Sequence, residues 1–118
     1  MNSEKPIFIQ IMEMLEDDIL SGAYTTDEII ISTNQISKLL SVNPTTSVKA
    51  VSILADKGIL YKKRGIGMCV AEGAKEKILD QRKNAFINEA IPALLEEAKK
   101  LAISESDLIK IIRGGKND

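Results

Sequence analysis

Residues 32–71 decide the fold, and they read STNQISKLLSVNPTTSVKAVSILADKGILYKKRGIGMCVA. Ser32, followed three positions later by Gln35, forms a capping-box pattern that begins a helix. Asn43-Pro44 begins the next helix, because asparagine caps helix N-termini and proline favours the first helical position. Only the short segment Ser41-Val42-Asn43 separates the two helices, and this arrangement is typical of a helix-turn-helix motif.

The second half of this stretch changes from helical to strand periodicity. Three apolar residues at helical spacing supply the inward stripe of the motif's second helix: Ala50, Val51 and Leu54. Residues 59–63 and 68–71 are predicted strands, and the turn residues Arg64-Gly65-Ile66-Gly67 join them into a hairpin. Helix, tight turn, helix and hairpin together predict a winged helix-turn-helix.

An amphipathic helix precedes the motif. Pro6 begins this helix, and Ser21-Gly22 ends it with a glycine that is free to adopt a left-handed backbone. Its apolar residues repeat at helical spacing: Ile7, Ile11, Met14, Leu15 and Ile19. Residues 29–31 are three isoleucines and form a candidate short strand. In the helix that follows them, the residues predicted to face inward are Ile36, Leu39 and Leu40.

Residues 74–118 carry helical periodicity and no strand signal. Pro92 either starts a new helix or kinks the existing one, and Ser104, three residues before Asp107, caps a last short helix. Amphipathic helices this short bury little apolar surface alone, so they need the winged helix or a second copy of the chain. Symmetric dimers are common, which favours the second copy. The predicted dimerisation residues form this apolar stripe: Ile78, Phe86, Ile87, Leu94, Leu95, Leu101, Leu108 and Ile112.

The composition limits the chemistry available to the chain. Its 118 residues are 44% hydrophobic and include one cysteine and no histidine. Histidine-based triads, histidine metal ligands and an intrachain disulfide are therefore excluded, and we expect no enzyme activity, no cofactor and no metal site. Cys69 is interpreted as a packed side chain rather than a redox sensor. The start of the chain lacks a signal-peptide layout and no apolar run would cross a bilayer, so we expect a cytoplasmic protein without membrane contact.

Positive charge is concentrated in the middle of the chain, although the net charge is −1. Residues 1–32 hold seven acidic residues and one lysine, whereas residues 33–71 hold six basic residues and one acidic residue. From residue 74 onward, nine basic residues balance eight acidic ones, as on an ordinary solvated surface. A basic segment within an otherwise acidic chain indicates a nucleic-acid surface, because the distribution of charge matters more than its sum.

Four segments resemble the DNA-binding domain of the GntR family of bacterial transcription regulators. They are residues 6–11 (PIFIQI), 19–22 (ILSG), 40–46 (LSVNPTT) and 58–67 (GILYKKRGIG), and their order and spacing are specific. The short helical tail, with PALLEEA at residues 92–98, resembles the YtrA-like subfamily. The resemblance covers nearly the whole chain and implies a homodimer held by the tail helices, without a large effector domain.

The resulting prediction is a mainly α protein with a small β-hairpin. Residues 1–73 form a winged helix-turn-helix that binds double-stranded DNA, and residues 74–118 form a helical dimerisation tail. Its expected function is sequence-specific transcription regulation, as a dimeric repressor on an inverted-repeat operator.

Residue chemistry selects the candidate DNA contacts within this frame. Thr45, Thr46 and Lys49 suit base edges and phosphates, and free N–H groups in the first turn of their helix attract phosphate. Ser47 is predicted to face inward and Val48 to face DNA, although a slight rotation of the helix would bury Val48 instead.

The remaining candidates come from the preceding helix and the wing. Asn34 stands where the GntR family usually has an arginine. A contact with a base or a phosphate and no contact with DNA are about equally favoured for it. In the wing, cations neutralise the DNA backbone and glycines let the hairpin tip approach it. The full candidate set is Ser32, Thr33, Asn34, Lys38, Thr45, Thr46, Val48, Lys49, Lys63, Arg64, Gly65 and Gly67.

The sequence leaves two other classes of function open. Winged helices also serve as protein-interaction modules, and the acidic first helix and the missing arginines keep that alternative open. An enzyme is the weakest alternative, because the sequence offers no nucleophile–base pair, metal cluster or phosphate loop. The sequence also leaves open whether a small-molecule effector binds and whether the regulator represses or activates.

Overall fold

The computed structural model describes residues 4–115 and confirms a mainly helical chain with one antiparallel hairpin. The elements follow in this order: α1 (Ile7–Ser21), α2 (Thr33–Leu40), α3 (Pro44–Asp56), β1 (Leu60–Lys63), β2 (Gly67–Val70), α4 (Ala74–Ala85), a π-helical turn (Phe86–Ala90), α5 (Ile91–Lys100) and α6 (Glu105–Ile112). The described residues divide into two compact units between Leu79 and Asp80.

Local side-chain bonds start the two helices of the motif as predicted. The Ser32 N–H donates to Gln35 Oε1 at 3.0 Å, and the Gln35 N–H donates back to Ser32 Oγ at 3.1 Å. This reciprocal pair satisfies two donors that a helix N-terminus leaves free. Asn43 caps α3 by accepting the Thr45 N–H at 3.0 Å, and Pro44 takes the first helical position. The helix-turn-helix is therefore specified by its own sequence signals.

An aliphatic core joins α1, α2, α3 and the hairpin. Its fully buried side chains come from every one of these elements and include Ile11, Leu15, Ile36, Ala50, Leu54, Ile59 and Leu60. Burying such side chains supplies most of the free energy that holds a small domain together. The core therefore fixes the orientation of α3, on which the candidate site depends.

The prediction that Leu39 faces the core is wrong, because its side chain is 67% exposed. The buried side of α2 is centred on Ile36, Ser37 and Leu40. With 3.6 residues per turn, Leu39 lies about 110° around the helix from that centre. Helical spacing from Ile36 predicts that both Leu39 and Leu40 are buried, because they follow it by three and four residues. Only Leu40 falls on the side of α2 that meets α1 and α3.

The hairpin pairs β1 with β2 from Leu60 opposite Val70 to Lys63 opposite Gly67. The candidate strand at residues 29–31 is reduced to one bridge between Ile29 and Cys69, extended by a bond from the Ile30 N–H to the Met68 carbonyl at 2.9 Å. Cys69 is 1% exposed, as expected for a packed thiol.

A side-chain bond ties this hairpin to the loop after α1. The Tyr61 hydroxyl donates to Asp27 Oδ1 at 2.8 Å, and this bond, with smaller contributions from burial and from charge, raises the pKa of Tyr61 to about 12. The neutral phenol is the form that the fold favours. The stability gained from this bond is therefore complete below the ordinary tyrosine pKa of 10.0 and is lost as the pH rises through about 12.

We expect Asp27→Asn to lower the pKa of Tyr61 toward its ordinary value, because the accepting carboxylate is lost. Asn tolerates the left-handed backbone of Asp27, whose φ is 68°, so the loop should keep its shape. Phenolate absorbance followed through an alkaline titration measures the shift, and Tyr61→Phe identifies which transition belongs to Tyr61. An unchanged titration in Asp27→Asn would show that the bond does not control Tyr61.

The start of α4 belongs to the core of the winged helix. Ala74 and Ile78 are buried with the winged-helix side chains, and Lys77 Nζ donates to the Gly58 carbonyl at 3.0 Å. This unit therefore extends to Leu79, six residues beyond the predicted boundary at residue 73. Ile78 is fully buried here, so it differs from the other predicted dimerisation residues and presents no surface to a second copy.

The tail unit keeps large apolar side chains on its surface. Pro92 takes the second position of α5, directly after the π-helical turn in which the Ile91 N–H donates to the Phe86 carbonyl five residues back. The wider turn suits proline, which lacks an N–H and clashes with the carbonyl four residues earlier in an α-helix. Exposed apolar residues of this unit include Phe86, Ile87, Leu94, Leu95, Leu101, Ile109, Ile111 and Ile112. Across residues 4–115, no helix combines the length and apolar character needed to span a membrane.

Candidate nucleic-acid interface

One side of α3 presents an exposed stripe of side chains. Thr45, Val48, Lys49 and Ser52 lie on this stripe at helical spacing. Val48 is 49% exposed and Ser47 is fully buried, which confirms the predicted orientation and excludes the rotated alternative. The Ser47 and Ser37 hydroxyls are hydrogen-bonded to each other at 2.8 Å, so the rotation of α3 against α2 is fixed by a buried polar pair.

Ser52 is absent from the sequence-derived site although it continues this stripe. It lies four residues after Val48, so helical spacing alone could have found it. This residue is exposed one turn further along α3 and extends the polar surface away from the helix N-terminus.

The first turn of α3 lacks the free N–H groups that are predicted to attract phosphate. Pro44 has no N–H, and the Thr45 N–H is taken by Asn43 Oδ1 at 3.0 Å. The Thr46 and Ser47 N–H groups donate to the Asn43 carbonyl, at 2.9 and 3.4 Å. The Thr45 hydroxyl also lies 2.9 Å from Asn43 Oδ1. The cap has thus used the N–H groups that were expected to attract phosphate, and side chains are what α3 offers to a ligand.

Free backbone donors lie instead at the N-terminus of α2. Ser32 uses its N–H and hydroxyl in the capping box, but among residues 4–115 no acceptor is found for the N–H groups of Thr33 and Asn34. The first N–H groups of a helix point outward and attract anions. The Asn34 and Lys38 side chains are exposed on the same short helix, and Thr33 is half-buried.

The tip of the hairpin carries the wing. Lys63, Arg64 and Gly65 are exposed there, and the Ile66 N–H donates to the Lys63 carbonyl at 3.0 Å to close the turn. Ile66, which the sequence predicts only as a turn residue, is 55% exposed at the tip. Gly67 has a different role: a Cβ there would lie 3.2 Å from Ile29 Cδ1, so this glycine permits close packing.

Gly65 permits the wing turn by its backbone, since its φ is +78° and, apart from its two chain neighbours, no described residue has an atom within 4 Å of where a Cβ would stand. We expect Gly65→Ala to lower the free energy of unfolding by about 1 kcal/mol, because an L-residue is strained in this left-handed region. Gly65→Asn should cost less, since asparagine visits this region more readily. Urea unfolding measures both, and equal stability of wild type and Gly65→Ala would contradict the explanation.

The predicted DNA contacts all lie within the winged-helix unit. The side chain of Lys49 on α3 contacts another element, because its ammonium stands over the Phe8 ring of α1. The N-terminus of α2, the exposed stripe of α3 and the wing supply the remaining candidates. Together these elements offer backbone donors, short polar side chains and cations, which are the groups that recognise phosphates and base edges.

Solved structures place the chain among known regulators. A putative transcriptional regulator of the GntR family from Bacteroides thetaiotaomicron is 32% identical, with the match covering 92% of this chain and 95% of that one at a TM-score of 0.74. The chain belongs to the GntR family. Members of the GntR family are transcription regulators, so this chain is a regulator and not an enzyme. No protein-family model matches the chain.

Two further relatives refine this membership. The HTH-type transcriptional repressor YtrA of Bacillus subtilis (strain 168) is 26% identical over 98% of this chain and 94% of that protein, and this chain is a YtrA-like member of the GntR family. The DNA-binding domain of AraR, solved in complex with its operator ORR3, is 30% identical over 60% of this chain and 88% of that chain, with a TM-score of 0.54.

Proposed function

We propose that this GntR-family chain is a sequence-specific repressor that binds double-stranded DNA as a homodimer. The observation that carries the proposal is the exposed stripe of α3, whose opposite side is fixed by the buried Ser47, in a unit that also contains the wing and the N-terminus of α2. A helix of this kind fits the major groove of B-DNA. The AraR domain, which is 30% identical, is solved on operator DNA and supports the same use of this fold.

Each part of the surface has its own task in this proposal. Thr45 and Val48 meet base edges, where the Val48 methyl groups suit a thymine methyl. The Thr33 and Asn34 N–H groups meet a phosphate at the N-terminus of α2. In the wing, Lys63 and Arg64 neutralise the backbone without reading sequence.

The tail joins two copies of the DNA-binding domain in this proposal. Leu94, Leu95, Leu101 and Ile112 are all exposed in the single chain, and a second tail would remove this apolar surface from water. A two-fold dimer places its recognition helices in successive major grooves, roughly 34 Å apart, so the operator is an inverted repeat. We accordingly assign DNA binding to residues 1–73 and dimerisation to residues 74–118, with the start of α4 packed into the winged helix. A repressor of this kind acts on the chromosome and therefore in the cytoplasm.

A fluorescence-anisotropy titration tests the proposal. The full chain is titrated onto the duplex upstream of its own gene, with unrelated duplex as competitor, at several salt concentrations. We expect tight binding that resists the competitor and a log–log salt slope of about −0.9 for each neutralised phosphate. Binding no tighter than to unrelated duplex, at that site and at other promoters, would favour a protein-interaction module instead.

A further inference from the structure

Lys49 is the single basic residue of α3, and its position is set by another helix. Its Nζ lies 4.0 Å from the centroid of the Phe8 ring on α1. Phe8 is half-buried against the winged-helix core, whereas Lys49 is exposed on the proposed DNA-facing stripe. A cation above an aromatic ring is attracted by the negative face of the π system. A core-anchored ring therefore holds the one positive charge of the recognition helix.

We propose that Phe8 is a positioning residue for DNA binding, whose ring holds the Lys49 ammonium where it meets a backbone phosphate. The inference rests on the proposed function. An ammonium group has three N–H donors. One N–H directed at the ring leaves two for phosphate oxygens, so the stack and the phosphate contact coexist.

The benefit of the stack is entropic. A free lysine side chain samples many rotamers and loses that freedom when it is fixed against a phosphate. The Phe8 ring restricts Lys49 before DNA arrives, so less freedom is lost on binding. Phe8 thus raises affinity through Lys49. Because phosphate contacts carry no sequence information, the gain is the same on every duplex.

The same contact allows an opposite role for Phe8, in which the ring weakens DNA binding, and experiment distinguishes the two roles. If the ring held the ammonium away from DNA, removing the ring would release Lys49 and tighten binding. The positioning role requires the reverse, namely weaker binding without the ring. The sign of the change on removing the ring therefore decides between them.

A double-mutant cycle on the full chain tests the inference. Wild type, Phe8→Leu, Lys49→Met and the double variant are titrated onto a labelled mixed-sequence duplex of about 30 base pairs, long enough for two half-sites one helical turn apart. We expect Phe8→Leu to weaken binding roughly two- to fivefold per protomer with an unchanged salt slope. Lys49→Met should reduce the magnitude of the salt slope by about 0.9 per protomer, and adding Phe8→Leu to it should change nothing further.

Two controls separate a loss of positioning from a loss of folding. Phe8→Tyr keeps the ring and should retain at least wild-type affinity. In the free wild-type protein, the Lys49 ε-methylene protons should show an upfield ring-current shift by NMR that Phe8→Leu abolishes, with the thermal midpoint of each variant recorded beside it. Absence of this shift in wild type would overturn the inference without any DNA measurement.

The outcomes test the role of Phe8 separately from the proposed function of DNA binding. If wild type binds no duplex although the ring-current shift is present, the proposed function fails. If wild type binds and the effects of Phe8→Leu and Lys49→Met are simply additive, the inference fails and the function stands. Tighter binding by Phe8→Leu would also overturn it, because the ring would then withhold Lys49.

Discussion

Replacing Leu95 and Leu108 together with glutamate is expected to make the chain monomeric and to weaken operator binding about a hundredfold or more. Both side chains line a cleft between α5 and α6, and Leu95 is 47% exposed in the single chain. A carboxylate forced into an apolar contact between two tails would lose its hydration without a partner. A monomer then binds each half-site separately, and linking two sites typically raises affinity by about 10² to 10⁴.

Light scattering after size exclusion measures the mass of this variant, and anisotropy measures its affinity. The matched control is Ala93→Glu with Ser106→Glu, which adds the same charge to exposed positions of the same two helices away from the leucines. We expect the control to remain dimeric and to bind as wild type does. A leucine variant that stays dimeric, or a monomer that keeps full affinity, would contradict the proposed task of the tail.

Val48→Glu is expected to weaken binding to the operator about a hundredfold or more without unfolding the protein. The change places a negative charge on the stripe proposed to enter the major groove, where it faces phosphates and loses the apolar contact. A lost base contact costs about 1–3 kcal/mol, and a dimer loses two of them. Because Val48 is half exposed, the free energy of unfolding should change by less than about 0.5 kcal/mol.

The control for Val48→Glu is Ala23→Glu, which makes the same charge change in the exposed loop after α1. Anisotropy gives the affinities and urea unfolding gives the stabilities. We expect Ala23→Glu to bind nearly as wild type does. Equal weakening by both variants would mean that net charge, and not the position of Val48, controls binding.

Local signals made most of the winged helix predictable from sequence. The capping box at Ser32, the Asn43-Pro44 start of α3 and the turn at Gly65 each act through neighbours a few residues away. Such signals depend little on distant parts of the chain, because their bonds close within one turn. The inward direction of Ser47 was predictable for a similar reason, since it shares a helical stripe with Ala50, Val51 and Leu54.

The sequence predictions are wrong where packing between distant residues or competing hydrogen bonds determine the structure. Leu39 faces solvent because the positions of α1 and α3 select which side of α2 is buried. Ile78 is buried in the winged helix, although its helical stripe continues into the tail. The first turn of α3 has no free N–H groups, because the side chain and the carbonyl of Asn43 accept the N–H groups that the sequence predicts to bind phosphate. The stack of Lys49 on Phe8 joins residues of separate helices and leaves no pattern in the sequence.

Selection of duplexes from a random pool by the full chain tests the central claim most directly. Bound duplexes are recovered at moderate salt over several rounds and sequenced, with the Val48→Glu variant run in parallel. We predict an enriched inverted repeat whose half-site centres lie about one helical turn apart, absent from the Val48→Glu pool. Recovery of no shared sequence, or of a single half-site without symmetry, would contradict a dimeric, sequence-specific repressor.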